Sequence, residues 1–177
     1  DVSADASGPD GSAATAATIR AKSGETAIIL AKLDLAVNQV QAKLLNPAEI
    51  TLRAGETRVD RLAIGARGGT LRLDAALTEA GNSAKLRLDK LPLSLFDAAG
   101  SDLHLLGTVD GSLDLAGPKQ APDATLSLQG KGLGVQGASE QLADLTLQGT
   151  WRGGMLQSKG RLSLAKSSAL DFIASLP

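Results

Sequence analysis

The sequence predicts an all-β chain, and three observations predict it. From about Ala17 onward apolar and polar residues alternate one by one, which is the period of a strand and not of a helix. Glycine-containing turn signals separate the alternating runs: Gly68-Gly69, Gly81-Asn82, Gly117-Pro118 and Gly153-Gly154. The apolar material is aliphatic, with 43% hydrophobic residues against 2% aromatic ones.

Residues 1–15 are small and polar without period, and are expected to be a linker or frayed end. Residues 16–177 are expected to be one elongated β-domain. In its first part, Ala27–Leu33, Val37–Lys43, Glu49–Arg53 and Leu62–Ala66 read as strands, with Asn46-Pro47 and Ala54-Gly55 as breaks. Thr70–Leu77 sets Leu71, Leu73, Ala75 and Leu77 against Arg72 and Asp74, and Lys85–Asp89 sets Leu86 and Leu88 against Lys85, Arg87 and Asp89. Ser94–Ala99 has Leu95, Phe96 and Ala99 at helical spacing and reads as a short helical turn.

The clearest strand is Leu106–Gly117. One parity holds Gly107, Val109, Gly111, Leu113, Leu115 and Gly117, and the other holds Thr108, Asp110, Ser112, Asp114 and Ala116. Successive strand side chains point to opposite faces, so one face is apolar and one is wet. A helix here would be weakened by its glycines. Ala124–Gly130 (Leu126, Leu128), Asp144–Gly149 (Leu145, Leu147) and Leu156–Leu164 (Leu162, Leu164) repeat the grammar.

Every such strand must bury its leucine row. Sandwiches and barrels of this size carry aromatic anchors and tight Asn-Gly hairpins. The scarcity of both tilts the expectation toward a U-shaped sheet with an apolar concave interior, with a closed β-sandwich or barrel as the alternative. The candidate lining is Leu71, Leu73, Leu86, Leu88, Leu113, Leu115, Leu126, Leu128, Leu145, Leu147, Leu162 and Leu164. Either acyl chains lie along these rows or the rows meet one another in a dry core.

Composition removes several classes of function. A net charge of -1, scattered Lys and Arg, and only Phe96, Trp151 and Phe172 as aromatics argue against nucleic acid. No cysteine is present, so neither a disulfide framework nor a thiolate metal site is available. No apolar run is long enough to span a bilayer as a helix. Residues 1–5 lack the features of a signal peptide, and the missing initiator Met with abrupt ends favours a fragment of a longer protein.

No catalytic constellation emerges, so no enzyme, cofactor or metal is expected. His104 is the single histidine and reads as a solvated strand residue. Asp110 and Asp114 share a polar face, where paired carboxylates hold metal or move protons in some proteins; here they read as solubilising charges. Gly130-Lys-Gly-Leu-Gly134 lacks the Lys-Ser/Thr and helix of a phosphate loop and reads as a turn. Trp151, beside Arg152, is read as packing an end of the core, with a rim contact to lipid or partner as the second reading.

Leu91-Pro-Leu-Ser-Leu95, the run Leu106–Gly117, and Pro122-Asp-Ala-Thr-Leu-Ser-Leu128 together resemble the C-terminal region of the TamB family. Leu45-Asn-Pro-Ala-Glu-Ile-Thr-Leu52 and Gly68-Gly-Thr-Leu-Arg-Leu73 add to the resemblance, which covers roughly residues 30–165. It implies a taco-like sheet in the periplasm of a Gram-negative bacterium, within a protein anchored in the inner membrane. It further implies phospholipid traffic toward the outer membrane, or assembly of outer-membrane and secreted proteins with a TamA-type barrel partner reached through the full-length protein.

Overall fold

The computed structural model describes residues 1–8, 11–37, 40–95, 104–137, 142–164 and 168–176. They form one antiparallel sheet of thirteen strands: β1 (Val2–Gly8), β2 (Gly11–Lys22), β3 (Glu25–Val37), β4 (Val40–Leu44), β5 (Ala48–Arg53), β6 (Glu56–Ala66), β7 (Gly69–Leu77), β8 (Asn82–Pro92), β9 (Leu105–Gly117), β10 (Asp123–Val135), β11 (Ala143–Arg152), β12 (Met155–Leu164) and β13 (Ser168–Leu176). A single 3-10 turn, Leu93–Leu95, follows β8. It coincides with the start of the expected helical turn, whose remaining residues 96–99 lie outside the described ones.

The topology is a plain meander. β4 and β5 are two halves of one strand line: β3 pairs β4 through Asp34–Val37 and β5 through Glu25–Leu30, and β6 pairs both in turn. Leu45-Asn46-Pro47 separates the halves because proline cannot donate to a ladder. Tight hairpins reverse the chain at Ser23-Gly24, Arg67-Gly68 and Gly153-Gly154, where both central residues have positive φ, the twist that suits a two-residue connection.

Three expectations are corrected. Residues 2–8 form β1 and residues 11–15 begin β2, where a linker was expected; Val2-Ser-Ala-Asp-Ala-Ser7 alternates, but its side chains are too small to give a strong period. The strand expected over Val37–Lys43 is divided, since Val37 ends β3 and Val40 opens β4. Gly130–Gly134 lies inside β10, not in a turn.

That last segment belongs to a repeated device. Between Gly130 and Leu133 the register of β10 against β11 slips by one residue. The same slip occurs on β6 between Val59 and Leu62 and on β8 between Leu88 and Leu91. In each bulge one residue takes a left-handed backbone: Arg61 (φ 58°), Lys90 (φ 46°) and Gly132 (φ 61°). Its N–H donates to an aspartate on the following strand, at 2.8 Å for Arg61 to Asp74, 3.0 Å for Lys90 to Asp110 and 2.9 Å for Gly132 to Asp144. Because side chains alternate, each extra residue returns the leucines to the same face.

The preceding strand makes room for two of these bulges with glycine. A Cβ on Gly107 would lie 2.6 Å from the carbonyl oxygens of Lys131 and Gly132. A Cβ on Gly69 would collide with the Lys90 carbonyl oxygen.

The strand order runs from β1 to β13 without returning to β1. That is the order of an open sheet and not of the barrel held as the alternative. Buried side chains among the described residues are few and mostly small: Ala42, Ala48, Thr51, Ala63, Ala66 and Leu91. No described helix is long and apolar enough to cross a membrane.

Candidate functional site, a continuous leucine face

The register brings the twelve candidate leucines together on one face. Leu73, Leu86, Leu113 and Leu126 stand in one row across β7 to β10. The adjacent row runs Leu71, Leu88, Gly111, Leu128, Leu147 and Gly160. Leu145 faces Leu162, Leu164 faces Ala143, and Leu115 lies between Ala84 and Ala124. Upstream, Leu62 and Ile64 on β6 extend the first two rows; their parity is set by the bulge at Asp60-Arg61.

Neighbours lie over the glycines in this face. A Cβ on Gly111 would meet Leu128 Cδ2 at 2.5 Å, and one on Gly160 would meet the ring of Phe172. The leucines and Phe172 thus lean over small partners, which fills the surface sideways and keeps it smooth.

None of the twelve is buried. Leu164 is exposed and the other eleven are half-buried. In a single-layer sheet this is the expected result of lateral contact without a covering layer. A dry core, in which such rows meet face to face, would bury most of them.

Polar features sit on the opposite face and have structural partners. Asp110 receives the Lys90 N–H, while Asp114 accepts both of its contacts from Arg87 Nη2 at 2.9 Å. Among the described residues no three or more His, Asp or Glu side chains come together as a metal site. His104 precedes β9 as an exposed residue with φ 39°, and its carbonyl accepts the Gln136 N–H at 3.0 Å. It is solvated as expected but lies outside the strand. Trp151 sits on the apolar parity between Ala124 and Leu156, at the hairpin end of β11, and is 36% exposed.

Two grooves are bordered chiefly by the polar face. One, of about 800 Å³, crosses the ends of β1–β4, β6 and β7 along Asp5, Ser12, Asp34, Gln41, Lys43 and Thr70. The other, of about 450 Å³, crosses β10–β13 along Gln129, Thr146, Gln148, Lys159, Arg161 and Asp171. Of the twelve leucines only Leu128 borders either. Sequence reasoning missed both grooves, because they are made by the sheet's shape and not by a local pattern. No protein-family model, curated protein or solved structure matches the chain.

Proposed function

We propose that the leucine face carries phospholipid acyl chains, in a non-catalytic periplasmic segment of an inner-membrane-anchored envelope protein that moves lipid between the inner and outer membranes. The observation that carries this reading is the continuous leucine face on which none of the twelve candidate leucines is buried. Exposed apolar surface on this scale marks a binding surface.

The seven strands from β6 to β12 that carry the leucine rows, about 4.8 Å apart, give the face a length of roughly 30 Å. Each methylene removed from water contributes about 0.8 kcal/mol, so a 16-carbon chain gains roughly 13 kcal/mol before ordering costs. Uniform leucine rows without fixed polar hooks favour sliding over lodging. A trough bent around the apolar face would shield such a chain, and the bulges on β6, β8 and β10 supply local bending.

The test is native mass spectrometry of the purified chain with organic extraction. Co-purified phospholipid supports the reading. Absence of lipid, together with no uptake of a fluorescent acyl probe, overturns it. Leu115→Arg and Leu128→Asp should abolish uptake while leaving the strand circular dichroism unchanged; unfolding of either variant would make these positions core.

A second reading has its own observation. Among the described residues β1 and β13 each pair with one neighbour, and an edge strand is where an extended peptide adds. A scaffold for outer-membrane or autotransporter assembly with a TamA-type barrel would use such edges, and predicts peptide binding without lipid.

A further inference from the structure

On the apolar face the large side chains do not stay in one cross-strand row. The row through Leu73, Leu86, Leu113 and Leu126 continues on β11 and β12 as Gly149 and Ser158. Four residues away along β7 and β9, a parallel row does the opposite. It starts small as Ala42, Ala66 and Gly69, passes Leu91 at the β8 bulge, and becomes Val109, Gly130, Leu145 and Leu162. The leucine pair is therefore Leu71 and Leu73 on β7 but Leu162 and Leu164 on β12, a drift of about 13 Å along the strands.

Two further features run with this drift. The bulges on β6, β8 and β10 step the same way: the first precedes the row of Leu73, the second lies between Leu88 and Leu91, and the third lies beyond Gly130. Each bulge bends its strand, so the line of bending is oblique too. The row of Leu71 and Leu88, between the two just described, dips between β9 and β10. Gly111 has no side chain there, and Leu128 lies across its place, with Cδ2 2.5 Å from where a Cβ would stand.

We propose that a phospholipid tail bound to this face follows the oblique track, from Leu73 and Leu86 over Gly111 to Leu145 and Leu164. The proposal rests on the lipid reading and adds the course the tail takes. Directly paired side chains touch across strands, so each row is a ridge, and neighbouring ridges stand about 6.7 Å apart. A tail lies in the furrow between two ridges. Kept beside Leu126, it would run on to Gly149 and Ser158, where its methylenes lose their apolar cover. Crossing the middle ridge at its dip keeps leucine beside it and follows the line of bending.

The chain has no cysteine, so single cysteines on β12 read the course directly. Leu164→Cys and Ser158→Cys lie on one face of one strand, about 20 Å apart. Each is labelled with bimane and mixed with phosphatidylcholine carrying a nitroxide near the glycerol or near the methyl end of one tail. Quenching should be several-fold stronger at Leu164→Cys with at least one of the two lipids. Leu164 is already 37% exposed, so Leu164→Arg should keep the fold by circular dichroism while slowing uptake of a fluorescent acyl probe several-fold. Ser158→Arg should leave uptake unchanged. Equal or stronger quenching at Ser158→Cys, or loss of uptake in Ser158→Arg alone, would overturn the oblique track and leave the lipid reading standing. Binding of neither lipid, with no uptake by the unaltered chain, would overturn both.

Discussion

The segment from β4 to β8 and the segment from β11 to β13 are built from the same alternating grammar, yet they bury very different amounts. Every buried side chain among the described residues lies between Val40 and Pro92, and none lies in β11, β12 or β13. The first segment has a broken strand line and two phase-shifting bulges; the second runs in uninterrupted register. In the first segment cover goes with the broken strand line and the bulges, whereas the bulge on β10 buries no described side chain. Where the β4–β5 line is broken, a side chain leans across: Leu45 lies over Gly65 on the polar face, 2.7 Å from the place a Cβ would occupy, and its N–H bonds to the carbonyl of buried Ala63. In a one-layer sheet, burial is set by such sideways contact.

Two leucines on one cross-strand row give the largest test. Leu91 follows the β8 bulge and is 4% exposed; Leu162 reaches the same row through Val109, Gly130 and Leu145 and is half-buried. Leu91→Ala should cost about 2–4 kcal/mol by transfer and cavity terms. Leu162→Ala should cost about 1 kcal/mol, since part of its surface is already wet. Urea denaturation of the two variants checks this. Equal losses would mean that a covering layer exists over β11–β13 and would dissolve the contrast.

The bulges themselves can be pushed in both directions. Asp110→Ala removes the acceptor of the Lys90 N–H and should destabilise by about 1 kcal/mol, the usual net worth of such a bond where water can partly substitute. Lys90→Gly should stabilise by about 0.5–1 kcal/mol, because φ 46° strains a residue with a Cβ. Gly132 already occupies the equivalent place in β10. Opposite signs for two changes 3.0 Å apart would identify the bulge as the stabilised element; losses from both would mean that the Lys90 side chain holds it.

Much of this was readable in the chain. Alternation locates β7, β9 and β12 nearly to their ends and β11 as far as Gly149, and it places all twelve leucines on one face. The bulges were not recognised, although they leave a signature: Val59-Asp-Arg-Leu62, Leu88-Asp-Lys-Leu91 and Gly130-Lys-Gly-Leu133 each put two residues where alternation allows one. Read in period two alone, such a skip looks like a strand end, which is why β10 was stopped at Gly130. Asp110 was read as a solubilising charge because its partner is a backbone N–H twenty residues away, invisible to any local pattern. β13 was missed since Ser168–Leu176 carries Ile173 on the polar parity, which spoils the alternation.

The smallest effect comes from charge, where regular and irregular segments should behave alike. Arg87 holds Asp114 through Nη2, but across β7 and β8 it stands directly opposite Arg72. Like charges opposed in a ladder disfavour pairing by a few tenths of a kcal/mol, and an exposed ion pair favours it by a similar amount. Both arginines are exposed, so the terms nearly cancel and Arg87→Ala should change stability by less than about 0.5 kcal/mol. Removing Arg72 instead keeps the attraction and deletes the repulsion, so Arg72→Ala should be neutral to slightly stabilising. Added salt should shrink both shifts further, since screening weakens both terms together. A loss above about 1 kcal/mol for Arg87→Ala would mean that the Asp114 contact is shielded from water, and the polar face of β8–β9 would then need a cover of its own.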